Sequence, residues 1–161
     1  MSGEDTEQGG EAPCFAHLLG EPLVLGDAEL ADAIVIADSD GMIVFWNEAA
    51  ERIFGWPADE AVGQTLDLII PERQRDRHWN GYRRTMGTGE TKYGEQLLEV
   101  PALHRDGRRL SIAFTVTLLR RESERRPYAI AAVVRDDTQR WQERRRLNEE
   151  LTALRASSAP A

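Results

Sequence analysis

The chain has 161 residues, 28 acidic against 20 basic side chains and a net charge of −8, a length that suits one domain with extensions. Its charge is uneven, with Glu4, Asp5, Glu7 and Glu11 near the start and Arg144, Arg145 and Arg146 near the end; so acidic a chain is a poor nucleic-acid binder, because DNA affinity rests largely on phosphate neutralisation. A single cysteine, Cys14, rules out an intramolecular disulfide and a cysteine metal cluster, and no apolar run approaches the roughly 20 residues that span a bilayer.

Residues 1–13 are rich in Gly and Glu and nearly without hydrophobes, so a disordered acidic tail is expected there. Acidic rather than basic, this tail has none of the features of a signal peptide, and the chain reads as cytoplasmic. Residues 14–27 carry Phe15, Leu18, Leu19, Leu23, Val24 and Leu25, broken by Gly20, Pro22 and Gly26. They form an N-terminal extension expected to pack onto the domain or onto a second copy.

A core domain is expected over 28–136, large enough to fold alone. Ala33 to Ala37 and Met42 to Trp46 are short apolar runs around the turn Asp38-Ser39-Asp40-Gly41, and Asp-Gly between such runs signals a hairpin. Asn47 is placed to cap a helix over Glu48 to Phe54 that ends at Gly55. A helix started by Pro57 and another around Thr65 to Ile69 should follow, and then a longer one from Pro71 to Gly87 or Gly89. Strands are expected over Tyr93 to Val100 and Arg109 to Leu119, with the turn Asp106-Gly107 between them, and over Tyr128 to Val134.

A C-terminal signalling helix is expected over 137–155, with Asp137 or Thr138 able to cap it. Leu147, Leu151 and Leu154 recur at intervals of four and three, the seam of a short coiled coil. At this length such a helix is marginal alone, so self-association as a homodimer is expected; folding back onto the sheet is the alternative. Residues 156–161 read as a frayed tail.

Two strands, several helices and three further strands resemble a PAS domain, beginning with the S-box-like stretch ADAIVIADSDGMIVFWNEAAERIFG at 31–55. The resemblance covers roughly 110 residues. It implies an α+β fold, a five-stranded antiparallel sheet with helices on one face, and a sensory role rather than an enzymatic one. Asp136-Asp137-Thr138 resembles the family's exit tripeptide into an output helix, with Asp137 where Ile is usual. These three residues and the leucine seam would carry a signal to a downstream partner.

The same resemblance points to a cofactor. In haem-binding PAS domains similar to the rhizobial oxygen-sensor kinases, a His on the long helix ligates iron and a Thr-Gly-Glu-like turn follows about eleven residues later. His78 stands in that relation to Thr88-Gly89-Glu90. Tyr82, however, lies four residues after His78 where the family has three, and the position of the family's gas-contacting Arg falls on Leu98. Haem b with His78 as iron ligand is the expectation, with Trp79, Tyr82, Met86, Leu98, Val116, Leu118 and Ile130 lining the cofactor.

Helical geometry leaves His78 open. Trp79, Tyr82 and Met86 form the apolar stripe, and at 100° per residue His78 sits at its edge, able to face inward or to face solvent. Alternation likewise does not say which parity of the strands faces in. Three further readings fall away. A flavin–cysteine adduct would need a cysteine within 47–90, and there is none. His104-Arg105-Asp106 spells a kinase catalytic loop but lacks every other kinase motif, so it reads as a hairpin tip. No phosphate-binding glycine loop, zinc spacing or serine elbow occurs. The alternative to a cofactor-binding sensor is a cofactor-free module for protein interaction or dimerisation.

Overall fold

A computed structural model describes residues 31–91 and 96–157. The acidic tail, the 14–27 extension and residues 158–161 lie outside them.

The opening hairpin pairs β1 (Ala33–Asp38) with β2 (Ile43–Trp46). Its turn is tightened by the Asp38 carboxylate, which accepts hydrogen bonds from the amides of Asp40 and Met42 at 3.0 and 2.9 Å. Asn47 then caps α1 (Glu48–Phe54), accepting from the Ala50 amide. Its side chain does more than cap: Oδ1 also accepts from Ile34 N at 2.9 Å, and Nδ2 donates to the Asp32 carbonyl. One side chain thus joins the start of β1 to the start of α1. Gly55, at φ 78°, stops the helix and donates its amide to Glu51.

A four-residue helix α2 (Ala58–Ala61) and a 3-10 turn (Leu66–Leu68) lead to α3 (Glu72–Thr88). Pro57 and Pro71 occupy the cap positions just before α2 and α3 rather than the first turns. The long helix runs through Gly87 and ends at Gly89, whose φ of 71° is the left-handed conformation that glycine adopts without strain.

Strands β3 (Leu98–Leu103), β4 (Arg109–Leu119) and β5 (Ala129–Asp136) complete an antiparallel sheet of order β2-β1-β5-β4-β3. The expected third strand ended at Val100 but continues through Pro101 to Leu103. Proline is tolerated because β3 is an edge of the sheet, where one side of the strand needs no ladder donor. Residues 93–95 of that expectation lie outside the described residues. The fifth strand begins one residue later than expected and runs two residues past Val134.

Register decides what alternation left open. Val35 and Ala37 lie opposite Ala132 and Ile130, which lie opposite Val116 and Leu118. Val35, Ala132 and Val134 join Trp46, Phe54 and Ile112 in the core beneath the helices. Ile34, Ile36, Phe45 and Ala131 form a second apolar cluster on the other face. Phe54 is fully buried, its ring centroid 5.2 Å from that of Trp46.

The last helix, α4 (Thr138–Ser157), extends two residues beyond the expected end. Thr138 does not cap it with its hydroxyl. That Oγ1 accepts from Ser111 N at 3.0 Å and lies 3.4 Å from the Ser111 carbonyl, while the Thr138 amide donates to the Asp136 carboxylate. A second tie is the ion pair Arg144–Glu99 at 2.8 Å. The leucine stripe does not fold back: Leu147, Leu151 and Leu154 are 53%, 51% and 65% exposed.

Candidate functional site

Between α3 and the sheet, helical phase sorts the candidate residues. Tyr82 and Met86 are buried and pack with Ala37, and Ile130 and Trp79 close over the same cluster. The Tyr82 hydroxyl donates to the Asp38 carbonyl at 2.5 Å. Burial, then the nearby Asp38 and Asp40 carboxylates, push this phenol above its ordinary range, so it stays a donor. Trp79 donates from Nε1 to the Asp67 carboxylate at 2.8 Å. Its six-membered ring fills the space that a β-carbon on Gly41 would require.

His78 occupies the edge of this stripe, as its phase predicts, and is half-buried. Its ring packs edge-on to Trp79 at 4.9 Å between centroids and tilted against Tyr82 at 5.6 Å. Nδ1 is buried and has no hydrogen-bond partner among the described residues. Burial lowers the pKa of the imidazole below its ordinary value, opposed by the Asp67 carboxylate. His78 is therefore a neutral imidazole at physiological pH, with a lone pair to offer.

Leu98, Val116, Leu118 and Ile130 are half-buried, and the pairings Leu98–Phe114, Val116–Ala132 and Leu118–Ile130 put all four on the helix-facing side of the sheet. Ile130 alone of these four packs in the cluster with Tyr82 and Met86. The sequence-expected site thus separates into a packed part (Tyr82, Met86, Ile130) and a less covered wall across β3 and β4.

Two relationships escaped the sequence reading. Asp67, from the 3-10 turn, is the partner that orients Trp79, and nothing in residue spacing links positions twelve apart across a loop. Asp32 and Arg135 form a two-point ion pair at 2.8 and 2.6 Å that joins the entry of β1 to the exit of β5. The hydrogen bond from Arg135 holds the Asp32 carboxyl below the usual range. His104 sits at the β3–β4 turn as expected, its Nδ1 2.9 Å from the Asp106 carboxylate and its ring against Gly55. Among the described residues, no group of three or more His, Cys, Asp or Glu side chains could hold a metal ion, and no helix is long and apolar enough to cross a membrane.

Comparison with known proteins agrees with this architecture. An uncharacterised protein of Azorhizobium caulinodans is 38% identical over 117 residues, covering 72% of this chain and 16% of that protein. The sensor protein FixL of Bradyrhizobium diazoefficiens is 32% identical over 120 residues, covering 74% of this chain and 23% of its own length. The chain therefore spans less than a quarter of either relative. The crystal structure of a PAS domain from Colwellia psychrerythraea superposes with a TM-score of 0.59 at 23% identity, covering 68% of this chain and 89% of that one. The family model for the PAS fold matches residues 25–136, nearly the 28–136 expected from the sequence. With sheet order, helical layer and family model in agreement, the chain belongs to the PAS family of sensory, signal-transducing modules.

Proposed function

We propose that this module is a ligand-responsive sensor that holds haem b between α3 and the sheet, with His78 as the axial ligand. One observation carries the reading: the neutral imidazole of His78 keeps a buried nitrogen without a partner. An unsatisfied buried polar atom costs about 1–3 kcal/mol, which a metal bond or a donor to a bound group would recover. The donor fits haem, for which neutral imidazole is a common axial ligand. Trp79 and Tyr82 would hold the ring in place, and Leu98, Val116 and Leu118 would supply the apolar wall. Bound haem iron would provide the site for a gas or for one-electron redox chemistry.

The signal would travel by packing. Tyr82 ties α3 to the last residue of β1, β1 pairs with β5 along its whole length, and β5 runs into Asp136, Asp137 and Thr138. A ligand that favours one arrangement of α3 would thereby bias α4. The unpartnered leucines of α4 suit a homodimer that hands the signal to a downstream protein, in a cytoplasmic setting.

The test is an absorbance spectrum of the chain expressed with a haem precursor, beside a His78→Ala variant. A strong Soret band lost in the variant is expected. A band that survives moves the ligand, with His104 next to examine. A colourless protein refutes the haem reading and favours a cofactor-free interaction module. That second reading draws support from Tyr82 and Met86, which are already engaged in closing α3 onto Ala37 and Ile130.

A further inference from the structure

We infer that the outward face of α3 docks an acidic helix of a partner protein, which crosses α3 at Gly81. Elsewhere on the surface several exposed arginines meet carboxylates: Arg105 pairs with Glu60, Arg135 with Asp32 and Arg145 with Glu149. Arg73, Arg77 and Arg84 on α3 are exposed, and no hydrogen bond or ion pair engages their side chains among the described residues. At 100° per residue the three fall within an arc of about 40°, and at 1.5 Å rise the row is about 17 Å long. The Arg120 guanidinium donates to the Gly89 carbonyl, which brings the loop carrying the exposed Arg125 and Arg126 beside the end of α3.

Stability of the free domain does not account for this face. Arg73 lies in the first turn, where the helix dipole disfavours a cation, and Arg73 and Arg77 repel at a spacing of four. Gly81 is exposed in mid-helix, and a β-carbon there would meet nothing within 4 Å. Such a glycine weakens a helix relative to alanine. Its missing side chain lets a second helix approach closely, with Arg77 and Arg84 on either side to meet carboxylates on the incoming face. Nucleic acid is the poorer occupant. Glu72 and Asp76 interrupt the basic surface on the same helix, and the chain is acidic overall. A protein helix can place its carboxylates away from them, whereas a continuous phosphate backbone cannot.

The site can be tested with the full chain and a synthetic alanine-based helix of about 20 residues, bearing glutamates on one face at spacings of four and seven. A scrambled peptide of the same composition and a thymidine oligonucleotide serve as comparisons. At roughly 50 mM salt the one-faced peptide is expected to bind about tenfold tighter than the scrambled one. Arg77→Glu with Arg84→Glu should weaken it by about tenfold. Gly81→Leu should weaken it by about fivefold, yet leave the unfolding midpoint equal or higher, because leucine is the better helix former. Equal binding of both peptides, no binding of either, or full affinity in Gly81→Leu overturns the proposal. Tighter binding of the oligonucleotide, in competition with the peptide, reassigns the face to a phosphate polymer.

Discussion

The benzene ring of Trp79 occupies the volume in front of Gly41 that any other residue would fill. With the Trp79–Asp67 and Tyr82–Asp38 hydrogen bonds, this contact seats α3 on the opening hairpin, so the helix that carries His78 and the strand that pairs with β5 move together. Gly41 also has φ 81°, in the left-handed region. Gly41→Ala combines backbone strain with steric overlap and should cost about 2 kcal/mol or more, read as a lowered denaturant midpoint. A change within 0.5 kcal/mol would show that the indole is free to move.

His78 sets a pH dependence. Its pKa is ordinarily 6.5 and burial lowers it in the folded state. Above 6.5 both states hold the ring neutral and it contributes nothing to the pH slope. As pH falls through 6.5, the unfolded chain takes up a proton that the folded chain resists, so stability falls. Unfolding midpoints measured at pH 8 and near pH 5.5 should therefore differ less in His78→Phe than in the parent chain. An equal slope in both would place the lost stability elsewhere.

Thr138 fastens the exit of the sheet to Ser111 through its hydroxyl. Thr138→Val keeps the shape and removes the hydroxyl, leaving the partly buried Ser111 amide without a partner at about 1–2 kcal/mol. Amide exchange at the start of α4 should accelerate, with exchange in α1 unchanged. Uniform acceleration throughout the domain would mean general destabilisation instead.

The leucine stripe carries the expectation of a dimer. Leu147→Ala with Leu151→Ala should turn a dimer into a monomer by light scattering, with the PAS core unchanged in its circular dichroism, because both side chains are exposed on α4 and belong to no core cluster. A mass in solution that is the same before and after the substitutions removes the coiled coil from the account.

Much of this protein is written in local chemistry. The Asp-Gly turn at 40–41, the Asn47 cap, the stops at Gly55 and Gly89 and the leucines of α4 each act within a few residues. Those signals recover the order of elements and, through it, the family, because caps and turns depend on backbone groups close in sequence. Strand ends proved less legible. The strand expected to end at Val100 runs on through Pro101, whose tolerance depends on β3 being an edge, which is a property of the assembled sheet.

Everything that makes a site was decided by tertiary structure. Val116 and Leu118 share the apolar parity of β4, opposite Thr115 and Thr117, but β5 is apolar on both parities, and the pairing of β4 with β5 sets that parity toward the helices. His78 could have faced solvent until α3 was laid against the hairpin, where Trp79 found Asp67 and Gly41 and turned the imidazole into a half-buried position with an unpartnered nitrogen. Local sequence determines which elements form because hydrogen bonds, caps and turns are short-ranged. Which side chains meet is determined by packing between elements far apart in the chain, and that is where the Trp79–Asp67 bond, the Asp32–Arg135 pair and the environment of His78 arise.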